Sequence, residues 1–333
     1  MSRLRAHLHL FSGTGNTARA ASMIRERLEL AGYETGLTRM DQKPLPCEDS
    51  ASLHVVLFPM YGFDAPTLVH RYLHKLAAPP GARAAILAVG GTEGEIPGNE
   101  GISLYRTSKL LRKRGFTVFH ASLVSYPNNW VQFVSAPDEQ SNARICRKAD
   151  AEVERIADQL VKGTVSFKKQ SGAMRLLFSF ISFGYRHVGR RMLGKLFVAD
   201  SRCNGCSRCA RTCPMGTISM KKGVPSWNWS CAGCQRCINT CPREAIQSST
   251  AKLLLQGIAS LLPIWPAIWL GSALPLPSWA AWIAALAGYS IACLVLLPLT
   301  SRLVEAAEAR PAVRRFVARG PSVRHRRYRG PSA

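Results

Sequence analysis

Residues 7–17 read His-Leu-His-Leu-Phe-Ser-Gly-Thr-Gly-Asn-Thr, an apolar run of strand character that enters a Ser/Gly/Thr turn, with a helical pattern continuing to Leu30. Strand, glycine-rich turn and helix in that order make a phosphate site. Amides at a helix N-terminus and the hydroxyls of Ser12, Thr14 and Thr17 can surround an anion, and the glycines let the main chain come close. The loop has no Lys, which argues against a Walker P-loop, and its spacing is not the G-x-G-x-x-G dinucleotide fingerprint. Ser/Gly/Thr runs also make ordinary turns and helix caps, so the segments that follow must decide. Strand-like stretches at Glu34–Arg39, Ser52–Phe58, Arg83–Val89 and Phe116–Val124 alternate with helical ones such as Thr67–Leu76 and Ile102–Arg114. This alternation predicts an α/β, doubly wound parallel sheet over residues 1–162.

The loop Ser12–Thr17 resembles the flavodoxin phosphate loop, S/T-x-T-G-x-T. In the flavodoxin strand order, ligand lies beyond the carboxyl ends of the strands, where the loops after strands one, three and four meet. The second of these loops is Pro59-Met60-Tyr61-Gly62-Phe63; the third begins Gly90-Gly91-Thr92 and runs through Gly94, Gly98, Asn99 and Gly101. Aromatic and sulfur side chains with close backbone suit a flat isoalloxazine ring. FMN is therefore expected, held by Ser12, Gly13, Thr14, Gly15, Asn16 and Thr17 and by Pro59, Met60, Tyr61, Gly62, Phe63, Gly90, Gly91, Thr92 and Asn99. Without the phosphate loop, Tyr61 and Phe63 would read as core aromatics.

Farther along, residues 203–214 read CNGCSRCARTCP and residues 231–242 read CAGCQRCINTCP, so eight of the eleven cysteines fall into two copies of C-x2-C-x2-C-x3-C-P. Three thiolates on one tight loop hold three corners of an iron–sulfur cube, and the fourth, turned away by Pro214 or Pro242, caps the other cube. Zinc also takes four thiolates, but zinc sites usually carry two C-x2-C pairs on separate knuckles. A disulfide framework would suit an oxidising compartment, and no secretory signal pattern precedes these residues. The spacing resembles that of bacterial two-cluster ferredoxins. That resemblance implies one 4Fe-4S cluster on Cys203, Cys206, Cys209 and Cys241 and a second on Cys231, Cys234, Cys237 and Cys213, within a small α+β domain spanning 199–248. Small residues between the ligands (Gly205, Ser207, Ala232 and Gly233) leave room for backbone amides to reach the cluster sulfurs.

Together, a flavodoxin-like half and a two-cluster ferredoxin make residues 1 to about 248 similar to the EFR1-type ferredoxin family of flavodoxin–ferredoxin fusions. Tyr126-Pro127-Asn128-Asn129-Trp130 also resembles that family's Pro-x-Asn-aromatic loop near the flavin. The resemblance implies cofactors more firmly than any substrate.

Between Lys252 and Arg302 lie 49 residues without a charged side chain. Leu253–Leu270 and Trp279–Leu299 are each long enough to cross a hydrocarbon core and flank a Pro/Gly turn, so a transmembrane helical hairpin is expected over 253–300. Trp265, Trp269, Trp279 and Trp282 cluster toward the turn, as interfacial aromatics do. Pro263 and Pro266 disrupt the first span and leave a re-entrant segment open. The formal charge of +24 is concentrated around this stretch: only +4 falls in 1–162, and the rest lies in 163–252 and the tail 301–333. The positive-inside rule then places both termini and the redox domains at the cytoplasmic face of a membrane.

The linker 163–198, with Met174, Leu176, Leu177, Phe178, Phe180, Ile181 and Phe183 ahead of Arg186, Arg190, Arg191 and Lys195, fits either a bilayer surface or a basic helix packed on the other domains. For the arginine-rich tail, lipid head groups are the simpler partner; no nucleic-acid motif is present. Cys47, Cys146 and Cys293 have no ligand-spaced neighbour, and His54 and His120 lie on strands where a packed role is the default. The expected function is a membrane-anchored electron carrier linking FMN and two 4Fe-4S clusters to a redox protein partner with an acidic surface. Two alternatives stay open: a flavin-dependent reductase acting on a small substrate such as a quinone, and a flavin-free membrane redox sensor or scaffold. No catalytic residue can be placed from the sequence.

Overall fold

The computed structural model describes residues 4–42, 52–91, 100–167, 170–275 and 277–330. Six strands, β1 (Arg5–Leu10), β2 (Glu34–Arg39), β3 (Leu53–Pro59), β4 (Arg83–Gly90), β5 (Thr117–Ser125) and β6 (Ser166–Phe167), form one sheet in the order β2-β1-β3-β4-β5-β6. Every pairing is parallel. The central strands β3 and β4 are near-continuous apolar runs because both of their faces are covered. Among the four helices α1 (Asn16–Leu30), α2 (Thr67–Lys75), α3 (Ser103–Lys113) and α4 (Glu139–Val161), α1 and α4 close one face. There Ile24, Leu28, Ile156 and Leu160 pack on Leu8, Val55 and Leu87. The opposite face is closed by α2 and α3, whose Val69, Leu73 and Leu111 meet Val56 and Ile86. The expected doubly wound sheet is thus present, and its strand ends lie within about two residues of the sequence reading. The sheet also takes in β6, beyond residue 162, where His120 and Ala121 pair with Ser166 and Phe167. His54 is packed as expected: its Nδ1 lies 3.0 Å from His9 Nε2, inside the sheet's core.

After β6, α5 (Gly172–Gly184) passes through a π-helical turn (Tyr185–Gly189) into α6 (Arg190–Lys195). The cysteine-rich region then folds as β7 (Phe197–Ala199), α7 (Arg208–Arg211), β8 (Ile218–Lys221), β9 (Val224–Trp227), α8 (Arg236–Thr240) and β10 (Ile246–Ser248). β7 pairs antiparallel with β10, and β8 with β9. Phe197, Ile218, Trp227, Ile238 and Ile246 make its small core, the cysteines completing it.

Next come α9 (Thr250–Leu261), α10 (Ile264–Ala273), α11 (Ser278–Ala307) and α12 (Pro311–Val317). Pro263 breaks the first apolar segment into α9 and α10, yet the two continue as a 24-residue span, and α11 forms a 30-residue one. At 1.5 Å per residue both exceed the roughly 30 Å hydrocarbon thickness. They pack on one another where Gly271 faces Ala281 and Ala285, small residues that let the backbones approach. Only 22% and 6% of their most apolar windows are covered, so these two helices, long and apolar enough to cross a membrane, leave their side chains exposed. Polar contacts at their base tie them to the linker helix and the cysteine-rich domain: Glu305 pairs with Lys195 of α6 at 2.5 Å and with Lys221 of β8 at 3.7 Å, and Lys252 of α9, paired with Glu308 at 2.8 Å, donates to the Phe197 carbonyl at 3.0 Å.

Candidate functional site

A cavity of about 360 Å³ opens at the carboxyl ends of β1, β3 and β4, within the size range of small-molecule sites. It is floored by the turn that follows β1. Gly15, the residue before α1, holds φ +110°, a conformation that favours glycine, and this lets the turn present its amides at the helix start. Gly13, Thr14, Asn16 and Thr17 line the cavity. Ser12 does not; its Oγ instead accepts from the amides of Gly15 and Ala18, at 3.2 and 3.3 Å, and braces the turn from inside. Pro59, Met60, Tyr61, Gly62 and Phe63 form a second wall, and Gly90 and Gly91 a third. Thr92 and Asn99 fall outside the described residues. Pro127, Asn128, Asn129 and Trp130 close the fourth side. Asn129 Nδ2 donates to Thr14 Oγ1 at 2.5 Å and Asn16 Nδ2 to the Pro127 carbonyl at 3.2 Å, so this loop orients the turn's side chains.

Four further lining residues come from outside the sheet domain: Ile181 and Tyr185 of the linker helix, and Gly233 and Gln235 from between the cysteines of the second motif. The cysteine-rich loop is therefore part of the cavity wall. Arg236 secures it there. Its Nε donates to the Gly13 carbonyl at 2.9 Å, its Nη1 to Thr212 O at 2.7 Å, and its Nη2 to Ser12 O and, at 3.1 Å, to Asp41 Oδ2. Two polar atoms of wall residues, Tyr61 Oη and Gln235 Oε1, are buried with no hydrogen-bond partner among the described residues. Buried polar groups in native proteins are almost always paired, so this wall suits a polar, flat ligand that would complete it.

The cysteines gather in two groups of four around separate hollows. Cys203, Cys206, Cys209 and Cys241 line one. Cys213, Cys231, Cys234 and Cys237 line the other, with Cys209 at its edge. No three His, Cys, Asp or Glu side chains among the described residues converge as the ligands of a single ion would. Thr217 N approaches Cys213 Sγ and Gly233 N approaches Cys231 Sγ, each at 3.4 Å, the amide contacts that the small residues allow. Cys231, Cys234 and Cys237 of the second group are buried and Cys213 half-buried, whereas Cys206 of the first is exposed. Around the first group stand Arg208, Arg211, Lys221, Lys222 and Arg243, all exposed.

The linker helix is docked by one buried carboxylate. Asp64 sits in the turn closed by the Tyr61–Asp64 bridge and accepts from Ala65 N at 2.8 Å, from His70 Nε2 at 3.3 Å, and from both Arg106 and Arg186. Burial would raise its pKa, yet His70, Arg106 and Arg186 together hold it below the ordinary carboxylate value. Phe178 of α5 packs against Phe63 with its ring tilted by 38°, and Arg190 Nη1 of α6 donates to the Cys231 carbonyl at 2.6 Å. The outer side of α5 leaves Leu176, Leu177, Phe180 and Phe183 exposed. Both readings of the linker thus have a face of their own.

Part of the tail packs on the protein, while Arg315, Arg319, Arg324 and Arg329 stay exposed. After α12 it runs back over β10: Arg327 Nη2 donates to the Ile246 carbonyl and to Gln247 Oε1, at 3.0 and 2.9 Å. Tyr328 N donates to Asn239 Oδ1 at 2.8 Å, and its hydroxyl to Asn16 Oδ1 in the turn after β1. Arg327 and Tyr328 are buried, so this part of the tail is spent on protein carbonyls and amides rather than left free for lipid. One guanidinium nitrogen thus serves one backbone carbonyl and one side-chain amide oxygen of β10.

The sequence reading found three of the cavity's loops and noted the fourth. It missed Ile181, Tyr185, Gly233 and Gln235, because their approach depends on how separately folded segments dock. The αL backbone at Gln235, φ +58°, repeated at Ser207 with φ +60°, has no sequence signature.

Residues 202–246 match the 4Fe-4S dicluster domain family. No curated protein matches the chain. Among solved structures, the chain is similar to the two-electron reduced flavodoxin of Megasphaera elsdenii, with 19% identity over 44% of this chain and 98% of that one, TM-score 0.31. It is also similar to an azoreductase from Bacillus anthracis str. Sterne, with 11% identity, 47% and 99% coverage and TM-score 0.35. A third is the Trp repressor binding protein from Bacillus subtilis, with 15% identity, 49% and 99% coverage and TM-score 0.34. The chain thus joins a flavodoxin-like sheet, established by its strand order, to a 4Fe-4S dicluster domain, and its role is a redox one.

Proposed function

We propose that the protein is a membrane-anchored electron-transfer protein in which FMN occupies the cavity and two 4Fe-4S clusters occupy the cysteine hollows, as in EFR1-type flavodoxin–ferredoxin fusions. One observation carries this reading: the turn after β1 and the loop Cys231–Cys237 are walls of the same cavity. Gly13, Thr14, Asn16 and Thr17 would hold the phosphate, with Tyr61, Phe63 and Tyr185 against the ring. Bound there, a flavin exchanges electrons in pairs and releases them singly to one-electron clusters. Cys231, Cys234, Cys237 and Cys213 hold the inner cluster beside the cavity. Cys203, Cys206, Cys209 and Cys241 hold the outer one, under the exposed arginines and lysines that suit an acidic redox partner. Arg236, Asp64 and Arg190 keep the two cofactor sites in one arrangement. The exposed apolar spans and the outer face of α5 would bury in lipid, with the redox domains on the cytoplasmic side.

Detergent extraction from membranes under anaerobic conditions, followed by cofactor analysis, tests the proposal. The expected result is about eight irons and one FMN per chain, with clusters that become reduced when the flavin is. Iron without flavin would reduce the cavity to a docking surface; zinc in place of iron would overturn the electron-transfer reading.

The tail makes its own prediction. Tyr328→Phe removes one hydrogen bond to Asn16 and is expected to weaken FMN binding about 2- to 10-fold, near 1 kcal/mol. Fluorescence titration of the deflavinated protein reads this; an unchanged Kd would show that the strap does not orient Asn16.

A further inference from the structure

We infer that Gln235, a residue of the inner cysteine loop, is a ligand of the flavin ring that favours the reduced over the oxidised state. The inference rests on the FMN reading above.

Its physical basis is a chain of amides whose orientation is fixed at one end. Gln132 Nε2 donates to the Leu193 carbonyl at 2.8 Å, and a carbonyl can only accept. That bond turns Gln132 Oε1 toward Gln235, whose Nε2 donates to it at 3.1 Å and reaches Gly233 O at 3.4 Å. Both donors of Gln235 are thereby directed back into protein. Oε1 remains: buried, without a partner among the described residues, in a residue only 3% exposed that stands between this cavity and the inner cysteine hollow and lines both. An unpaired buried acceptor is costly, and what it lacks is a donor.

The first cysteine loop provides an internal comparison. Ser207 occupies the equivalent place, with the same left-handed backbone, but its hydroxyl donates to Gly205 O within its own loop at 3.1 Å. Only the loop that faces the cavity carries a side chain long enough to reach outward. The left-handed conformation costs a non-glycine residue some strain, and both loops bear it, so the loop turn accounts for the backbone and not for the glutamine.

A flavin ring has few donors to offer. Oxidised, it carries a single ring N–H; reduction adds a hydrogen at a ring nitrogen that bears none before, creating a second. An acceptor held in place by a fixed amide chain therefore gains most when the ring is reduced. Because Gln235 lies between Cys234 and Cys237, it also puts the ring's redox state in direct contact with the loop that holds the inner cluster.

The test uses full-length protein in detergent, titrated with FMN in the oxidised state and after dithionite reduction. Gln235→Leu is expected to raise the Kd of reduced FMN about 3- to 10-fold more than that of oxidised FMN. By linkage a tenfold difference lowers the two-electron flavin potential by about 30 mV. Riboflavin should show the same differential, since the phosphate is not involved. Gln132→Leu, which is not on the cavity wall, should reproduce part of the effect by freeing the Gln235 amide to turn over. Iron content equal to the parent's establishes that the loop is intact. If Gln235→Leu changes both Kd values by the same factor, or neither, the inference fails while the FMN reading stands. If the parent binds no flavin, both fail.

Discussion

Cys213→Ser is expected to remove the cluster held by Cys231, Cys234 and Cys237 and to leave the one held by its sequence neighbours Cys203, Cys206 and Cys209. The reason is geometric. Pro214 follows Cys213 and carries it away from its own loop, and it lines the hollow of the second motif. Iron should fall from about eight to about four per chain, and EPR of the reduced protein should lose the coupling between two clusters. Cys241→Ser should remove the other four, because Cys241 lines the hollow of the first motif. The two variants should then part in their kinetics. Loss of the inner cluster leaves no electron path out of the cavity, so flavin reduced by dithionite stays reduced in the presence of an external acceptor protein. Loss of the outer cluster leaves the inner one reducible but slows its exchange with that acceptor. Were Cys213→Ser instead to spare the second motif and empty the first, each motif would be a self-contained site and the crossed assignment would be wrong.

Asp64→Ala should destabilise the protein by about 3–5 kcal/mol, the range for removing one partner of a buried ion pair. Arg106 and Arg186 would be left facing each other across the vacated site, 29% and 26% exposed, and the Ala65 amide would lose its acceptor. For a domain of this size the apparent melting temperature should drop by roughly 6–20 °C. A control at Asp138, which caps α4 at the surface and accepts from Ser141 N, should cost far less when replaced by Ala. Because Arg186 lies in the π-helical turn beside Tyr185, the variant should also release flavin faster at temperatures where it is still folded. The pH dependence has a definite sign. Asp64 has its folded pKa held down, so its contribution is complete above the unfolded value near 3.9 and is lost as pH falls below it. Acid should therefore detach the linker helix and loosen the cavity. A parent-like melting curve for Asp64→Ala at neutral pH would mean that the helix is docked by Phe178 and Arg190 alone.

The parts that the sequence made legible share a physical cause. In 7–17 the strand, turn and helix are contiguous, and a phosphate cradle is a property of that local backbone. In 203–213 and 231–241 the ligand spacing itself sets which thiolates share a cube, and the following prolines turn the fourth away. The apolar spans announce themselves by composition, as 49 consecutive residues without a charged side chain. Ser12 shows the limit of such reasoning: its residue type and position fit an anion ligand, but the hydroxyl is spent bracing the turn.

What the sequence alone determined, then, is the set of folded units: a doubly wound sheet, a two-motif cysteine domain and an apolar hairpin, each specified by short-range pattern. Tertiary structure alone decided how those units meet. Arg236 reaches the carbonyls of Ser12 and Gly13 across more than two hundred residues, Tyr328 reaches Asn16 across 312, and Gln235 lines a cavity whose floor is the turn after β1. Such contacts leave no periodicity and no spacing, because they are made by single side chains whose partners are chosen by the docking of surfaces rather than by neighbours along the backbone.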